Sequence, residues 1–236
     1  MSYDVIIPAA GLGTRLRPLT DSLPKGLVKY KNREIMLRQL DILQENDISK
    51  LIVVVGYQKK KYLDFFQNHE FNFQVKTVFN ENFATTGCSV SLLKALEFVE
   101  NDFIYINSDL IFTKTALSKV LHHPEKNAIG IRSLHNNDET VLQKVEINRD
   151  GFLKRMALKL SGNYAFEAVG PAKFCFNSKS LLVNKYNSLS FSLSNKIPCY
   201  SLFGKCLDEI MISGAVLDEN EWFEINTLDD YNENKI

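Results

Sequence analysis

The sequence predicts an α/β protein with one doubly wound sheet, mixed but mostly parallel, on three observations. Short runs rich in β-branched and aromatic residues recur at 4–8, 51–55, 74–79, 103–106 and 128–133. Segments with apolar residues three and four positions apart lie between them. Strand, helix and strand at this spacing imply parallel pairing through right-handed crossovers, and ligands in such a sheet sit beyond the carboxyl ends of strands.

The first strand, 4–8, is carried by Val5-Ile6-Ile7 and runs straight into a glycine-rich turn. Residues 33–46 place Met36, Leu40 and Leu43 on one helical face, fit to pack on a sheet. Gln58-Lys59-Lys60-Lys61-Tyr62 reads as a solvated helix face. After Gly87, residues Val90, Leu92, Leu93 and Leu96 mark a second packed helix, and His122-His123 ahead of Pro124 marks another helix end. Beyond Asn127 the rhythm changes. The runs 141–147 and 152–158 flank Asn148-Arg149-Asp150-Gly151, a hairpin signal that predicts a small antiparallel flap. Helices are expected over 177–187 and 200–212, strands over 214–217 and 222–225, and a serine-rich loop over 187–195; Lys173 is expected at the surface. With no linker, repeat or low-complexity stretch, residues 1–236 read as a single domain.

Charge and cysteine usage exclude whole classes of partner. Twenty-eight Lys and Arg balance 28 Asp and Glu, so no overall field draws the chain to nucleic acid or to an anionic membrane. The four cysteines, Cys88, Cys175, Cys199 and Cys206, show neither zinc spacing nor a disulfide framework. No signal peptide or membrane-length apolar run is read, and a reducing cytoplasm is the expected location.

Residues 8–25 carry the chemistry. Gly11 and Gly13 let the backbone approach an anion closely, with successive N–H groups turned inward as a nest, while Arg15 and Lys25 add full positive charge. That combination suits a polyphosphate. A dinucleotide fingerprint would want glycine at Leu16, and a phosphate-binding loop of the Gly-Lys-Ser/Thr kind would want a different spacing. At the end of the strand 103–106 stands Asn107-Ser108-Asp109, a carboxylate where a parallel sheet places its ligands, or equally an N-cap.

The run Gly11-Leu12-Gly13-Thr14-Arg15-Leu16-Arg17-Pro18-Leu19-Thr20, followed by Pro24-Lys25, resembles the signature of the sugar-phosphate and choline-phosphate nucleotidylyltransferases. The resemblance implies a single Rossmann-like domain, 1–135 a nucleotide-binding half and 136–236 an acceptor-binding half. It also implies Mg²⁺ held by Asp109 and, in a closing motif of Glu-Ile-Asp-Thr type, by Glu224 and Asn226. An asparagine stands where the family carries aspartate, which lowers the charge of the metal site. Thr227, with Asp229 and Asp230, also fits a helix cap. Ala9, Ala10, Gly11, Leu12, Gly13 and Thr14 would cradle the nucleotide, and Asn80, Thr86 and Ser89 would read its base.

Residues from Lys159 to Phe174 resemble a pattern of cytidylyltransferases acting on small phosphorylated acceptors, which implies acceptor roles for Lys159, Glu167 and Gly170. Arg15, Lys25, Asp109 and Lys159 form the implied catalytic set. The leading reading is CMP transfer from CTP to phosphocholine, a phosphonate or a phosphorylated amino-acid amide, for decoration of a surface polysaccharide. Sugar-1-phosphate nucleotidyl transfer and a non-catalytic nucleotide sensor are the alternatives. Small-molecule substrates, no nucleic acid or membrane, and a monomer or homodimer complete the expectation.

Overall fold

Val5, Ile6 and Ile7 are fully buried because they lie in a central strand with parallel neighbours on both sides. The computed structural model describes residues 2–134, 143–158, 164–233 and 235. In chain order the elements begin with β1 (Tyr3–Ala9), β2 (Lys29–Tyr30), β3 (Arg33–Glu34), α1 (Ile35–Leu43), β4 (Ile48–Val55), α2 (Lys59–Gln67), β5 (Gln74–Phe79) and α3 (Cys88–Leu96). There follow β6 (Asp102–Tyr105), β7 (Leu110–Phe112), α4 (Lys114–Leu121), β8 (Ala128–Ser133), β9 (Lys144–Ile147), β10 (Leu153–Ala157) and β11 (Phe166–Phe174). The chain closes through α5 (Ser178–Ser188), α6 (Phe191–Ser194), α7 (Cys199–Lys205), β12 (Ser213–Val216), β13 (Trp222–Glu224) and α8 (Leu228–Asn232).

Among the described residues, nine strands join in one mixed sheet. One wing, β5-β4-β1-β6, is parallel throughout. Antiparallel β11 borders β6 through Ala172↔Tyr105 and continues the sheet to β8, which pairs in parallel with β12. The amino-terminal part of β11 also pairs with β9, so the predicted hairpin β9–β10 is stitched to the main sheet rather than standing free of it. Its turn is closed by Asn148, whose Oδ1 accepts from the amides of Asp150 and Phe152, with Gly151 at φ 85°. β7 and β13 form a separate two-stranded ribbon, and β2 and β3 another.

Period-2 alternation sorts the strand side chains to the two faces. Ile6, Ile52, Val54, Phe103 and Tyr105 pack with Leu92, Leu96, Leu182, Leu202 and Phe203 from α3, α5 and α7. Val5, Ile7, Leu51, Val53 and Ile104 pack on the other face with Met36, Leu40, Tyr62, Phe65 and Leu117 from α1, α2 and α4. Helices therefore cover both faces, and each such side chain contributes about 1.5–3 kcal/mol by leaving water.

Three local expectations change. The helix expected to reach residue 212 ends at Lys205, and part of the serine-rich stretch is the short α6. Lys173 is not at the surface: it is 5% exposed and its Nζ donates to the carbonyls of Leu121 and His123. Those are the unpaired carbonyls at the carboxyl end of α4, where the helix dipole favours a cation.

Candidate active site

The turn after β1 opens a cradle. Gly13 adopts φ 63°, a left-handed conformation that favours glycine, and its carbonyl accepts from Thr20 Oγ1 at 2.8 Å. A Cβ added to Gly11 would meet nothing within 4 Å, so the backbone there faces open room. The next residues, Thr14–Leu16, form one 3-10 turn that presents Arg15 outward and buries Leu16 against Val28, Ile35, Ile111, Phe223 and Ile225. Leu16 thus fastens the cradle to the β7–β13 ribbon. A second 3-10 turn, Lys25–Leu27, starts after Pro24 and aims Lys25 back toward the cradle.

The loop after β6 supplies the carboxylate. Gln39 from α1 donates its Nε2 to the carbonyls of Asn107 (2.8 Å) and Leu110 (2.6 Å), fixing the loop between them. β13 pairs antiparallel with β7, Glu224 opposite Leu110, and the Ile225 amide donates to the Asp109 carbonyl at 3.1 Å. This ribbon brings a motif 115 positions later in the chain against Asp109. Thr227 caps α8 in a full capping box with Asp230, whose carboxylate also accepts from the Asn226 amide. Cap and site share the segment.

At the centre Lys25 Nζ lies 2.6 Å from Asp109 Oδ2 and 2.9 Å from Asn226 Oδ1. Arg15 donates to the same amide oxygen at 2.8 Å. Asn226 Nδ2 in turn donates to Glu224 at 3.2 Å, and Asn107 Nδ2 donates to the other Glu224 oxygen at 3.2 Å. Burial, and then the nearby charge of Asp109, pushes the Glu224 carboxyl from an ordinary 4.5 up to about 8. Asp109 Oδ1 is buried and has no hydrogen-bond partner.

A cavity of about 260 Å³ lies over this cluster. Ala9, Ala10, Gly11, Gly13, Thr14, Arg15, Lys25, Asn80, Thr86, Asp109 and Asn226 all line it. Glu224 sits one hydrogen bond behind Asn226. Leu12, Ser89, Glu167 and Gly170 are not among the lining residues. Ser89 is buried and its Oγ donates to the Ser194 carbonyl at 3.3 Å. Asn80 lines the wall with its amide committed to Thr86 and Ser91, so it shapes the 80–91 loop.

Glu167 is buried on β11 and paired with Arg132 at 2.8 Å, and Arg132 stacks over the Trp222 ring. Trp222 and Glu224 share one face of β13, so this pair packs on the same face of the ribbon as Glu224, two residues along. Gly170 is packed: a Cβ there would come within 2.6 Å of Leu217 Cδ1 and 3.1 Å of Gly130 Cα, and its carbonyl accepts from the Tyr200 hydroxyl. Lys159 lies outside the described residues.

Sequence reasoning gave no site role to Asn107, Cys88, Phe83 or Ser91. Asn107 is held by Tyr105 Oη at 2.6 Å and orients Glu224, and its position beside Asp109 was the available signal. Phe83, Cys88 and Ser91 complete the cavity wall. Among the described residues no group of three or more His, Cys, Asp and Glu forms a metal centre. The oxygen donors within the cluster are two carboxylates and one amide, with one carboxylate oxygen unpartnered, and such a set fits a hard divalent cation.

A mostly parallel sheet with a glycine cradle facing a buried carboxylate at its strand ends is a fold and site of nucleotide-handling type. The chain belongs to the nucleotidyl transferase family, whose pattern matches residues 4–235. It is 33% identical over 133 residues to a bifunctional protein GlmU of Methanococcus maripaludis, covering 56% of this chain and 30% of that one. It is 35% identical over 107 residues to a choline-phosphate cytidylyltransferase of Streptococcus pneumoniae, covering 45% of each. The chain thus matches less than half the length of these curated relatives. Among solved structures, the CTP:phosphocholine cytidylyltransferase of Streptococcus pneumoniae superposes with a TM-score of 0.80 at 22% identity, covering 98% of this chain and 96% of that one. Among the described residues no helix is long and apolar enough to cross a membrane.

Proposed function

We propose that this chain is a cytidylyltransferase that transfers CMP from CTP to a small phosphorylated acceptor and releases pyrophosphate. The observation that carries nucleotidyl transfer is the meeting of Lys25, Asp109, Asn226 and Glu224 beneath the Gly11–Arg15 cradle. The 35% identity to a choline-phosphate cytidylyltransferase supports the choice of CTP and of an amino-alcohol phosphate.

In this reading the amides of Gly11, Gly13 and Thr14 and the Arg15 guanidinium hold the β- and γ-phosphates. Lys25 leaves its contacts with Asp109 and Asn226 to bridge nucleotide and acceptor phosphates. Asp109, Glu224 and Asn226 would hold Mg²⁺, which when bound neutralises charge where two phosphates approach. An acceptor phosphate oxygen attacks the α-phosphorus, the bond to the β-phosphate oxygen breaks, and pyrophosphate departs with that electron pair. No protein nucleophile is required, since a phosphate monoester is already ionised at neutral pH, and positioning with charge neutralisation lowers the barrier. Lys159 would neutralise the acceptor phosphate, while Glu167, paired with Arg132, would brace the Arg132–Trp222 side of the ribbon. The whole of 1–236 would act as one domain, as a monomer or homodimer in the cytoplasm, feeding decoration of a surface polysaccharide.

A sugar-1-phosphate enzyme is the second reading, because the Gly11–Lys25 signature is shared with that branch of the family. Pyrophosphate release, measured with CTP, UTP, dTTP and GTP in turn against phosphocholine and against glucose 1-phosphate, separates the two. Turnover confined to CTP with phosphocholine supports the proposal. Turnover with a sugar phosphate replaces it, and none with any pair leaves the nucleotide sensor.

A further inference from the structure

Cys88 and Cys199 are 111 positions apart yet meet at the wall of the nucleotide cavity. Cys88 is the first residue of α3 and Cys199 the first of α7, so two helix amino-termini converge on the pair. The Cys199 amide donates to Cys88 Sγ at 3.2 Å, which brings the two cysteines side by side. Cys88 is exposed and lines the cavity, whereas Cys199 is 1% exposed behind it. That is the arrangement of an attacking thiol in front and a resolving thiol in reserve.

The surroundings tie the pair to both halves of the site. The Gly87 amide donates to the Asn195 carbonyl at 2.6 Å, and a Cβ on Gly87 would stand 3.0 Å from the Lys196 carbonyl carbon. The wall at 87–89 is therefore pressed directly on the 194–199 segment. Tyr200, the residue after Cys199, packs edge-on to the Tyr105 ring at 5.7 Å, and the Tyr105 hydroxyl donates to Asn107, which donates to Glu224. One chain of contacts runs from the cavity wall to the carboxylate beside Asp109.

We propose that Cys88 and Cys199 form a reversible disulfide under hydroperoxide and that this bond closes the nucleotide cavity. Cys88 attacks the peroxide oxygen, the O–O bond breaks, and a sulfenic acid and an alcohol or water form. The Cys199 sulfur then displaces the sulfenic hydroxyl, which leaves as water with the thiol proton, and the S–S bond is made. Two thiols are oxidised by two electrons and one peroxide is reduced. Hydrogen bonding from Cys199 holds the Cys88 thiol below its usual range, which fits the attacking role. Bond formation sets the two sulfurs about 2 Å apart and draws the first turns of α3 and α7 together. Gly87 and Cys88 line the nucleotide cavity, so the wall moves with the bond.

The test oxidises the full-length reduced protein with hydrogen peroxide, maps the peptides by mass spectrometry, and measures CTP affinity by calorimetry before and after. The expected result is a Cys88–Cys199 linked peptide, about 2 Da lighter than the two thiols, and CTP binding at least about tenfold weaker, restored by dithiothreitol. Cys199→Ser, compared with its own reduced form, should form no linked peptide and lose no affinity reversibly. Peptide mapping of the unmutated protein decides the bond even if that variant folds poorly. The proposal falls if the thiols oxidise without linking, or if they link and affinity holds. It rests on the nucleotide-binding reading only for its effect: reduced protein that binds no CTP fails that reading, whereas an unlinked pair fails this one.

Discussion

The two wings of the sheet solve different problems. The parallel wing, β5-β4-β1-β6, is buried on both faces, and β1 and β6 end beside the cavity, at the cradle and at the Asn107–Asp109 loop. The mixed wing of β11, β8 and β12, with its attached hairpin, brings glycines into close approach and hands the chain on to the β13 ribbon. The first wing makes a site because parallel strand ends leave loops at one edge. The second contributes by delivery, placing Glu224 and Asn226 on the carboxylate that the first wing presents.

The largest expected effect breaks the junction of the two. Asp109→Ala removes the partner of Lys25 and one of the two carboxylates in the cluster. Under the proposed function, pyrophosphate release should fall by on the order of 10³-fold, the upper range for removing one preorganised electrostatic group. A fall of less than about tenfold would place the chemistry elsewhere.

The wings also differed in what their sequence disclosed. Val5-Ile6-Ile7 followed by Gly11 and Gly13 announces a buried strand and an anion cradle, because a central parallel strand is a continuous apolar run and local spacing carries the turn. β5 and β8 were also legible to their ends, from local content of β-branched and aromatic residues rather than from a continuous apolar run. β11 was not, although it is nearly wholly buried, since Glu167, Gly170, Pro171 and Lys173 interrupt its apolar run. What makes these tolerable is non-local: Arg132 pairs Glu167, Gly130 faces Gly170, and the end of α4 receives Lys173. The meeting of β7 with β13, and hence of Asp109 with Glu224, is a contact across more than a hundred residues that no local pattern encodes. It was reached through the resemblance of 221–231 to a family motif. The Cys88–Cys199 contact had no sequence signal beyond the presence of two cysteines.

A pH series sharpens the junction next. Glu224 in the ion-free protein holds its proton to about 8, against 4.5 for an ordinary glutamate. Its contribution to stability is therefore full below the ordinary value and is lost as pH rises through about 8. Glu224→Gln stays neutral throughout. The thermal midpoint of the unmutated protein minus that of the variant should drop by roughly 5 °C between about pH 5 and about pH 9. A constant difference would mean that Glu224 is not held in its neutral form by burial and Asp109.

The smallest effect compares one glycine from each wing. At Gly11 a methyl group enters open room, so Gly11→Ala should leave stability within about 1 kcal/mol. It should still weaken CTP binding, because the room it fills is the proposed phosphate cradle. At Gly170 a methyl group would press on Leu217 and on the Gly130 backbone, which cannot retreat without disturbing the β8–β11 pairing. Gly170→Ala should therefore cost about 1–3 kcal/mol of overpacking in chemical denaturation while CTP affinity holds. The exchange of roles is the test: a Gly170→Ala protein of normal stability that binds CTP poorly would move Gly170 from the packing of the second wing into the ligand site.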